Sequence, residues 1–187
     1  YDRVVLAGLE VDVWMEPGVE PATVADTVGT FYQQDAPEGG VALVLGAGNI
    51  ASIPPLDVLY KLYAEGRVVV LKLNPVNDYL GPILENVFGE FVAAGYLRLV
   101  YGGAEVGQYL TAHEAVDEIH MTGSAATHDA IVFGTGPEGA ERKRRDEPLI
   151  DTPVSSELGG VSPCIVLPGD WSEPDLRFQA EHVVSQR

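Results

Sequence analysis

From residue 40 onward, short apolar runs alternate with segments in which apolar residues recur every three or four positions. The runs at 41–45 and 68–71 are continuously apolar, as expected of strands buried on both faces, and further strand patterns follow at 97–101 and 116–121. The segments between them have helical spacing. Strands that alternate with helices over short connections predict a parallel, Rossmann-like α/β sheet with helices on both faces.

The same pattern gives approximate bounds for the remaining elements. We predict helices over 56–65, 82–94, 105–113, 124–132 and from about 173 to the end, and strands near 152–157 and 162–167. The apolar face of the helix over 82–94 is predicted to consist of Ile83, Val87, Phe88, Phe91 and Val92, with Gly95 just beyond its end. The charged stretch at 134–151 contains Gly and Pro and is predicted to be a mobile surface loop.

Residues 1–39 lack this alternation. They contain two short strand patterns, at 4–7 and 11–15, and a helical pattern over 22–32, separated by Pro and Gly. We predict an accessory N-terminal segment over 1–39 and one main domain over 40–187. Because the chain does not begin with Met, we expect it to be a piece of a longer protein.

The charge of the chain excludes some partners. Asp and Glu number 28 against 11 Lys and Arg, for a net charge of −17, which argues against nucleic acid and anionic membranes. The basic run at 142–145 is flanked by acidic residues and is predicted to be solvated. The sequence contains no apolar run of roughly 18 residues, and its single cysteine forms no internal disulfide, so we expect a cytoplasmic protein.

Candidate chemistry lies at the ends of the predicted strands, where parallel sheets bind ligands. Residues 46–51 match the pattern Gly-x-Gly-x-x-Ala of dinucleotide-binding turns. An ordinary Rossmann dehydrogenase is therefore one hypothesis. Against it, prolines at 54 and 55 would interrupt the helix that must begin inside the motif, and Lys72 and Asn74 stand where an acidic residue is required.

Three other strand ends carry polar side chains. Lys72 at the second strand is placed to bind a ribose or a phosphate, or simply extends into solvent. Ser124 opens a helix, where it serves as an N-cap or presents N–H groups to a phosphate. Glu157 precedes a Gly-Gly pair and is placed to take a proton if its surroundings are apolar, although such a sequence is also typical of a plain turn.

In order and spacing, these pieces resemble the nucleotide-binding domain of the aldehyde dehydrogenase superfamily over residues 40–187. That family has an Asn after its first core strand, a Lys at the tip of the second, a Gly opening a helix, the motif Phe-Thr-Gly-Ser, and Glu-Leu-Gly-Gly-Lys-Ser-Pro. The matching positions here are Asn49, Lys72, Gly107, the Met-Thr-Gly-Ser at 121–124 and the Glu-Leu-Gly-Gly-Val-Ser-Pro at 157–163.

The resemblance implies a domain that binds NAD or NADP. It implies that Lys72 contacts the adenosine ribose, that Ser124 faces the pyrophosphate, that Glu157 is the general base and that the Asn49 amide donates to an oxyanion. It also implies that the cofactor lies against a further set of residues: Asn74, Pro75, Gly107, Thr122, Gly123, Leu158 and Gly159.

Departures from the family pattern bear on the cofactor. Members that prefer NAD have Glu three residues after the lysine, where this chain has Pro75, so NADP becomes plausible. His128 stands where a glycine is usual. The stretch between Ser124 and Glu157 is longer than usual by roughly a dozen residues, an insertion that fits the predicted loop at 134–151.

The family's nucleophile is a cysteine that we expect beyond Arg187. Cys164 lies in an apolar run, and we predict a buried structural thiol there. The four histidines show no metal-ligand spacing, so we assign no metal, although His120 and His182 are candidates to lie near the site.

The leading hypothesis is therefore the cofactor-binding part of an NAD(P)-dependent oxidoreductase. The full-length enzyme would act on an aldehyde or acyl substrate through a cysteine thioester, and we expect it to be a homo-oligomer. An acyl-CoA or fatty-acyl reductase shares the same nucleotide domain. A non-catalytic homologue that binds a nucleotide or serves assembly is the alternative of another class.

Overall fold

The computed structural model describes residues 14–159 and 165–185. Five parallel strands form one sheet in this part of the chain: β1 (Gly40–Leu45), β2 (Arg67–Lys72), β3 (Leu97–Val100), β4 (Glu118–Gly123) and β5 (Val154–Leu158). Their order is β3-β2-β1-β4-β5, with β1 at the centre. All pairs are parallel, so the carboxyl ends of the strands meet at one edge. The fold class predicted from the sequence is confirmed.

Helices connect the strands. The α-helices are α1 (Ile53–Ala64), α2 (Gly81–Val87), α3 (Gly89–Ala94), α4 (Ala104–Thr111), α5 (Ala125–Val132), α6 (Gly136–Arg145) and α7 (Glu173–Ser185). Short 3₁₀ helices lie at Val24–Thr27, Thr30–Gln33 and Pro75–Leu80. None of the helices over the described residues is long and apolar enough to cross a membrane.

The two faces of the sheet bury separate apolar clusters because side chains alternate along a strand. On one face, Val44 and Leu71 pack with Val58 of α1 and with α2. On the other face, Leu43 and its neighbours pack near α4. Leu43, Val44, Val58 and Leu71 are fully buried, and each contributes roughly 1.5–3 kcal/mol of hydrophobic stabilisation.

The helix predicted over 82–94 is interrupted. Phe88 leaves helical geometry at φ −97° and ψ 22°, which separates α2 from α3. Phe88 is buried together with Leu84, whereas Ile83 and Val87, predicted for the buried face, are exposed. Phe91 and Val92 pack against the same cluster as Leu84 and Phe88, so the buried face contains Leu84 in place of the predicted Ile83 and Val87. Gly95 ends α3 at φ 85°, the left-handed conformation that glycine adopts freely.

The loop prediction for 134–151 is wrong, because this stretch contains α6. Pro137 lies in its first turn, where a missing N–H costs nothing, and the basic residues of its last turn complement the helix dipole. Arg145 also pairs with Glu141 one turn earlier, with 2.6 Å between Nε and Oε1.

The ends of the chain differ from the prediction as well. The pattern over 22–32 forms two 3₁₀ helices, not one α-helix, and residues 14–15 are not in a strand. The strand predicted at 4–7, most of the one at 11–15 and residues 162–164 lie outside the described residues. Residues 165–167 form no strand, and their apolar side chains are exposed.

Candidate functional site

A cavity of about 1250 Å³ opens at the edge where the carboxyl ends of β1, β2, β4 and β5 meet. All the residues that the sequence analysis assigns to a site line it: Asn49, Lys72, Asn74, Pro75, Gly107, Thr122, Gly123, Ser124, Glu157, Leu158 and Gly159. Parallel topology explains this convergence, because each of these residues lies at a strand tip, in the segment that follows it, or in α4 beside Lys72. The cavity has the position of a cofactor site in an open α/β sheet.

Lys72 is the most deeply buried charged group at the cavity, with 7% of its surface exposed. Its Nζ donates to the Leu73 carbonyl at 2.8 Å, and its aliphatic stem runs past Gly107, where an added Cβ would lie 3.9 Å away. Burial lowers the pKa of Lys72, and the charges of Asp78 and Glu105 oppose that shift. A buried ammonium that makes no ion pair within the described residues is suited to bind an anion or a hydroxyl.

The segment after Lys72 is fixed by a cap. The Asn74 Oδ1 accepts from the Val76 N–H at 3.1 Å, and Pro75 occupies the first turn of the 3₁₀ helix. The Asn77 amide donates to the Ala47 carbonyl at 2.9 Å and is buried. These bonds join the segments that follow β1 and β2, so one wall of the cavity is preorganised.

Ser124 has the N-cap role that the sequence suggested as its simpler function. Its Oγ accepts from the Thr127 N–H at 3.1 Å at the start of α5. The hydroxyl of the neighbouring Thr122 is buried and has no hydrogen-bond partner among the described residues. A polar ligand at this cavity would give Thr122 the partner that buried hydroxyls usually have.

Asn49 and Glu157 lie at the mouth of the cavity. Both side chains are exposed, and no hydrogen bond joins the Asn49 amide to the described residues. Glu157 lies on β5, the edge strand of the described sheet, in register with Thr122. The apolar surroundings that a general base requires are therefore not supplied by the described part of the chain.

A slot between α4 and α5 forms the interior of the cavity. Small residues line it: Ala104 and Gly107 of α4, Ala112 just after α4, and Ala130 of α5. Arg142 of α6 also lines the cavity, and sequence reasoning missed it because its stretch was predicted to be a loop. The spacing of Glu141 and Arg145 and the position of Pro137 were signals for a helix there.

His120 and His182, the two candidates to lie near the site, do not line the cavity. The His120 Nδ1 lies 2.9 Å from Ser155 Oγ and its Nε2 lies 3.6 Å from Asp57 Oδ1. His128 does not line the cavity either, and its Nδ1 lies 3.4 Å from Asp129 Oδ1. In residues 14–159 and 165–185, no cluster of three or more His, Cys, Asp or Glu side chains is suited to hold a metal ion. Cys164 lies outside the described residues.

The geometry also bears on the Rossmann hypothesis. Gly46 and Gly48 line the cavity, but α1 begins at Ile53, after the Gly-x-Gly-x-x-Ala motif. No helix therefore starts inside the motif to present its N-terminus to a pyrophosphate. The helix that starts at the cavity next to a Gly-Ser pair is α5, with Ser124 as its cap.

The fold and the cavity together define an α/β domain of the nucleotide-binding kind. The profile of the aldehyde dehydrogenase family matches residues 19–182. The chain belongs to this family.

Two curated relatives agree with this assignment. The chain is 30% identical over 146 residues to an N-succinylglutamate 5-semialdehyde dehydrogenase of Novosphingobium aromaticivorans, covering 78% of this chain and 28% of that protein. It is 31% identical over 128 residues to the dimeric NADP-preferring aldehyde dehydrogenase of Mus musculus, covering 68% of this chain and 25% of that protein. A solved aldehyde dehydrogenase of Mycobacterium tuberculosis, complexed with NAD+, is 26% identical, with a TM-score of 0.43 over 66% of this chain and 23% of that one. The chain thus spans about a quarter of the length of these relatives.

Proposed function

We propose that this chain is the NAD(P)-binding part of an aldehyde dehydrogenase-like oxidoreductase. The observation that carries the proposal is the convergence of Asn49, Lys72, Ser124 and Glu157 on one cavity. In the whole enzyme, an aldehyde is converted to an acid or acyl product through a cysteine thioester. We do not assign the nucleophile to Cys164.

The residues present fit a dinucleotide. Lys72 would bind the adenosine ribose, and the start of α5 with Gly123 and Ser124 would bind the pyrophosphate through free N–H groups. Thr122 offers an unsatisfied hydroxyl beside them. When bound, the nicotinamide supplies the acceptor for a hydride.

Two side chains at the mouth are proposed for the chemical step. The Asn49 amide is exposed and free to donate to an oxygen that becomes negatively charged. Glu157 would accept a proton from water or a thiol. Since Glu157 is exposed in the described structure, its role requires that the bound cofactor or another part of the full-length protein cover it.

Both dinucleotides remain candidates. The mouse relative is named NADP-preferring, and the mycobacterial structure holds NAD+. Pro75 lines the cavity in place of an acidic residue that would repel a 2′-phosphate, which supports NADP.

The proposal extends to assembly and location. The name of the mouse relative describes a dimer, and α7 exposes Leu176, Phe178 and Val184, which supports a homo-oligomer of the full-length protein. The single cysteine supports a cytoplasmic location.

A calorimetric titration of the chain with NAD and with NADP tests the proposal. We expect binding of at least one dinucleotide, and a Lys72→Met variant should bind it roughly tenfold or more weakly, since a charged hydrogen bond contributes about 1.5–3 kcal/mol. Arg145→Met is the control, because Arg145 is exposed, pairs with Glu141 within the same helix and does not line the cavity. Failure of the wild-type chain to bind either dinucleotide, or equal affinities for both variants, contradicts the proposal.

The alternative of a non-catalytic homologue is favoured by one observation, the exposure of Glu157. Activity of the full-length protein separates the two. A Glu157→Gln variant should lose most of the aldehyde oxidation of the enzyme and keep its dinucleotide affinity. A full-length protein that binds the dinucleotide and oxidises no aldehyde would support the binding module.

A further inference from the structure

We propose that Arg142 is a cofactor-binding residue that holds the adenine base of the dinucleotide, and that the extra helix α6 is present to place it there. This inference rests on the proposed function and goes beyond it, because α6 occupies the stretch in which the chain is longer than the family pattern.

The first argument is the pairing of charges along α6. Its last turn contains four consecutive basic residues. Lys143 pairs with Asp129, and Arg144 and Arg145 both pair with Glu141. No ion pair of the described residues involves Arg142, although acidic residues outnumber basic ones by 28 to 11 in this chain.

The second argument is the position of the guanidinium. Arg142 is half-buried and lines the cavity, whereas Arg145 on the same helix is 61% exposed and does not. The Arg142 Nη1 donates a long hydrogen bond of 3.5 Å to the Phe133 carbonyl, just after α5. It also lies over Gly134, where an added Cβ would be 3.5 Å from it. One contact of this length leaves most of the five N–H donors of the guanidinium available.

The third argument is the order of groups along the slot. The Lys72 stem lies beside Gly107 in the middle of α4, and Ser124 lies at the start of α5. Arg142 lies beyond the other end of α5, which is eight residues long and therefore spans about 12 Å. The pyrophosphate end of the cavity and Arg142 are thus separated by roughly the length of a nucleoside.

The chemistry of the slot favours a base over a second phosphate. Alanines, glycines and Ile131 line it together with the uncharged polar residues Gln108, Thr111 and Thr127, and walls without charge suit a flat, uncharged group. A guanidinium is planar, stacks on aromatic rings and donates to ring nitrogens of adenine. The position that reads a 2′-phosphate is instead expected near Lys72 and Pro75, two strands away in the sheet from β4.

Calorimetric titration of the full chain with NAD, NADP and 5′-AMP tests the inference. We expect Arg142→Ala to weaken the binding of all three ligands by about the same factor, on the order of tenfold. Arg142→Lys keeps the charge and loses the planar fork, so it should restore little of the affinity. Arg145→Ala, a change of the same kind on the exposed side of α6, should leave the three affinities unchanged.

Different results identify a different role. A loss confined to NADP, or full rescue by lysine, would show that Arg142 acts as a charge toward phosphate and would overturn the inference. So would unchanged affinities in Arg142→Ala. If Arg142→Ala unfolds, as shown by its thermal melt, the lysine variant decides, because it retains a donor for the Phe133 carbonyl. A wild-type chain that binds no adenine nucleotide would instead refute the proposed function itself.

Discussion

Gly48 lies directly against the side-chain amide of Asn74. A Cβ added to Gly48 would come within 2.7 Å of Asn74 Nδ2 and 2.8 Å of its Cγ. The same Asn74 side chain caps the 3₁₀ helix through its bond to the Val76 N–H. The two segments that form one wall of the cavity are therefore fitted to each other, and a side chain at position 48 requires the Asn74 amide to move.

We expect Gly48→Ala to lower the free energy of unfolding by about 1 kcal/mol or more, because the methyl group displaces the Asn74 cap. Dinucleotide affinity should fall with it. Chemical denaturation and calorimetry measure the two effects.

A double-mutant cycle isolates the cause. If the contact is responsible, Gly48→Ala combined with Asn74→Ala should cost clearly less than the sum of the two single changes. Additive costs would show that Gly48 acts without Asn74. A Rossmann-type site predicts a different result, in which Gly48→Val abolishes binding and Ser124→Ala has little effect.

Local sequence patterns suffice to predict part of the fold and part of the site. The apolar runs at β1 and β2 are predicted correctly as buried strands. Parallel pairing then brings Lys72, Ser124 and Glu157 to one edge of the sheet. The position of Arg142 at the cavity could not be predicted from local patterns, because it depends on how α6 packs against the end of α5. The break at Phe88 was missed for a similar reason, since tertiary packing of that ring overrides the helical spacing around it.

Lys61, which is buried, and Glu118, which is partly buried, form an ion pair on the α1 side of the sheet. The Lys61 Nζ lies 2.8 Å from Glu118 Oε1 and 2.6 Å from Glu65 Oε2, and Lys61 is 5% exposed. Burial alone would raise the pKa of Glu118, but the hydrogen bond from Lys61 and the nearby charges outweigh it and hold that pKa below its usual range. Burial likewise opposes the charge of Lys61, and its bonds to Glu118 and Glu65 raise its pKa.

We expect Lys61→Met to lower the free energy of unfolding by about 3 kcal/mol near neutral pH, because the partly buried Glu118 then keeps only Arg67 as a basic partner among the described residues. The stabilisation by Glu118 is present above its unfolded pKa and is lost as the pH falls through its lowered folded pKa. The stabilisation by Lys61 is present below its unfolded pKa and is lost as the pH rises through its raised folded pKa. Urea denaturation should therefore show the largest difference between variant and wild type from roughly pH 5 to 9.

The control for this pair is Lys143→Met, which removes an exposed partner of Asp129. Near neutral pH, Lys143→Met should lower the free energy of unfolding distinctly less than Lys61→Met does. An equal cost for the two variants, or a Lys61→Met cost that does not change with pH, would contradict the assigned pairing.

Pro75 gives a test of cofactor choice. It occupies the first turn of the 3₁₀ helix, where a glutamate is tolerated and the Asn74 cap is preserved. We expect Pro75→Glu to weaken NADP binding by about tenfold, roughly 1.4 kcal/mol, and to leave NAD binding equal or tighter, because the new carboxylate repels a 2′-phosphate. The ratio of the two dissociation constants is the measurement.

Pro75→Gln is the neutral control for the same position and length. Its ratio of NAD to NADP affinity should stay near that of the wild type. If glutamine and glutamate change the ratio equally, then backbone freedom at position 75 and not charge determines the preference.

Gly139 connects α6 to the end of α5. A Cβ added there would lie 2.2 Å from the Gly134 carbonyl oxygen, a backbone atom that no rotamer change can move. We expect Gly139→Ala to lower the free energy of unfolding by about 1–3 kcal/mol and to displace α6, since overpacked contacts are relieved only by shifting the helix. Because Arg142 moves with α6, the variant should also lose adenine-nucleotide affinity as Arg142→Ala does.

The control is Gly89→Ala, which makes the same chemical change in α3, where an added Cβ meets no atom within 4 Å. It should leave stability unchanged or raise it, and adenine-nucleotide affinity should stay at the wild-type value. A Gly139→Ala protein with wild-type stability and affinity would mean that α6 is not held against Gly134. It would also contradict the placement of Arg142 in the cavity.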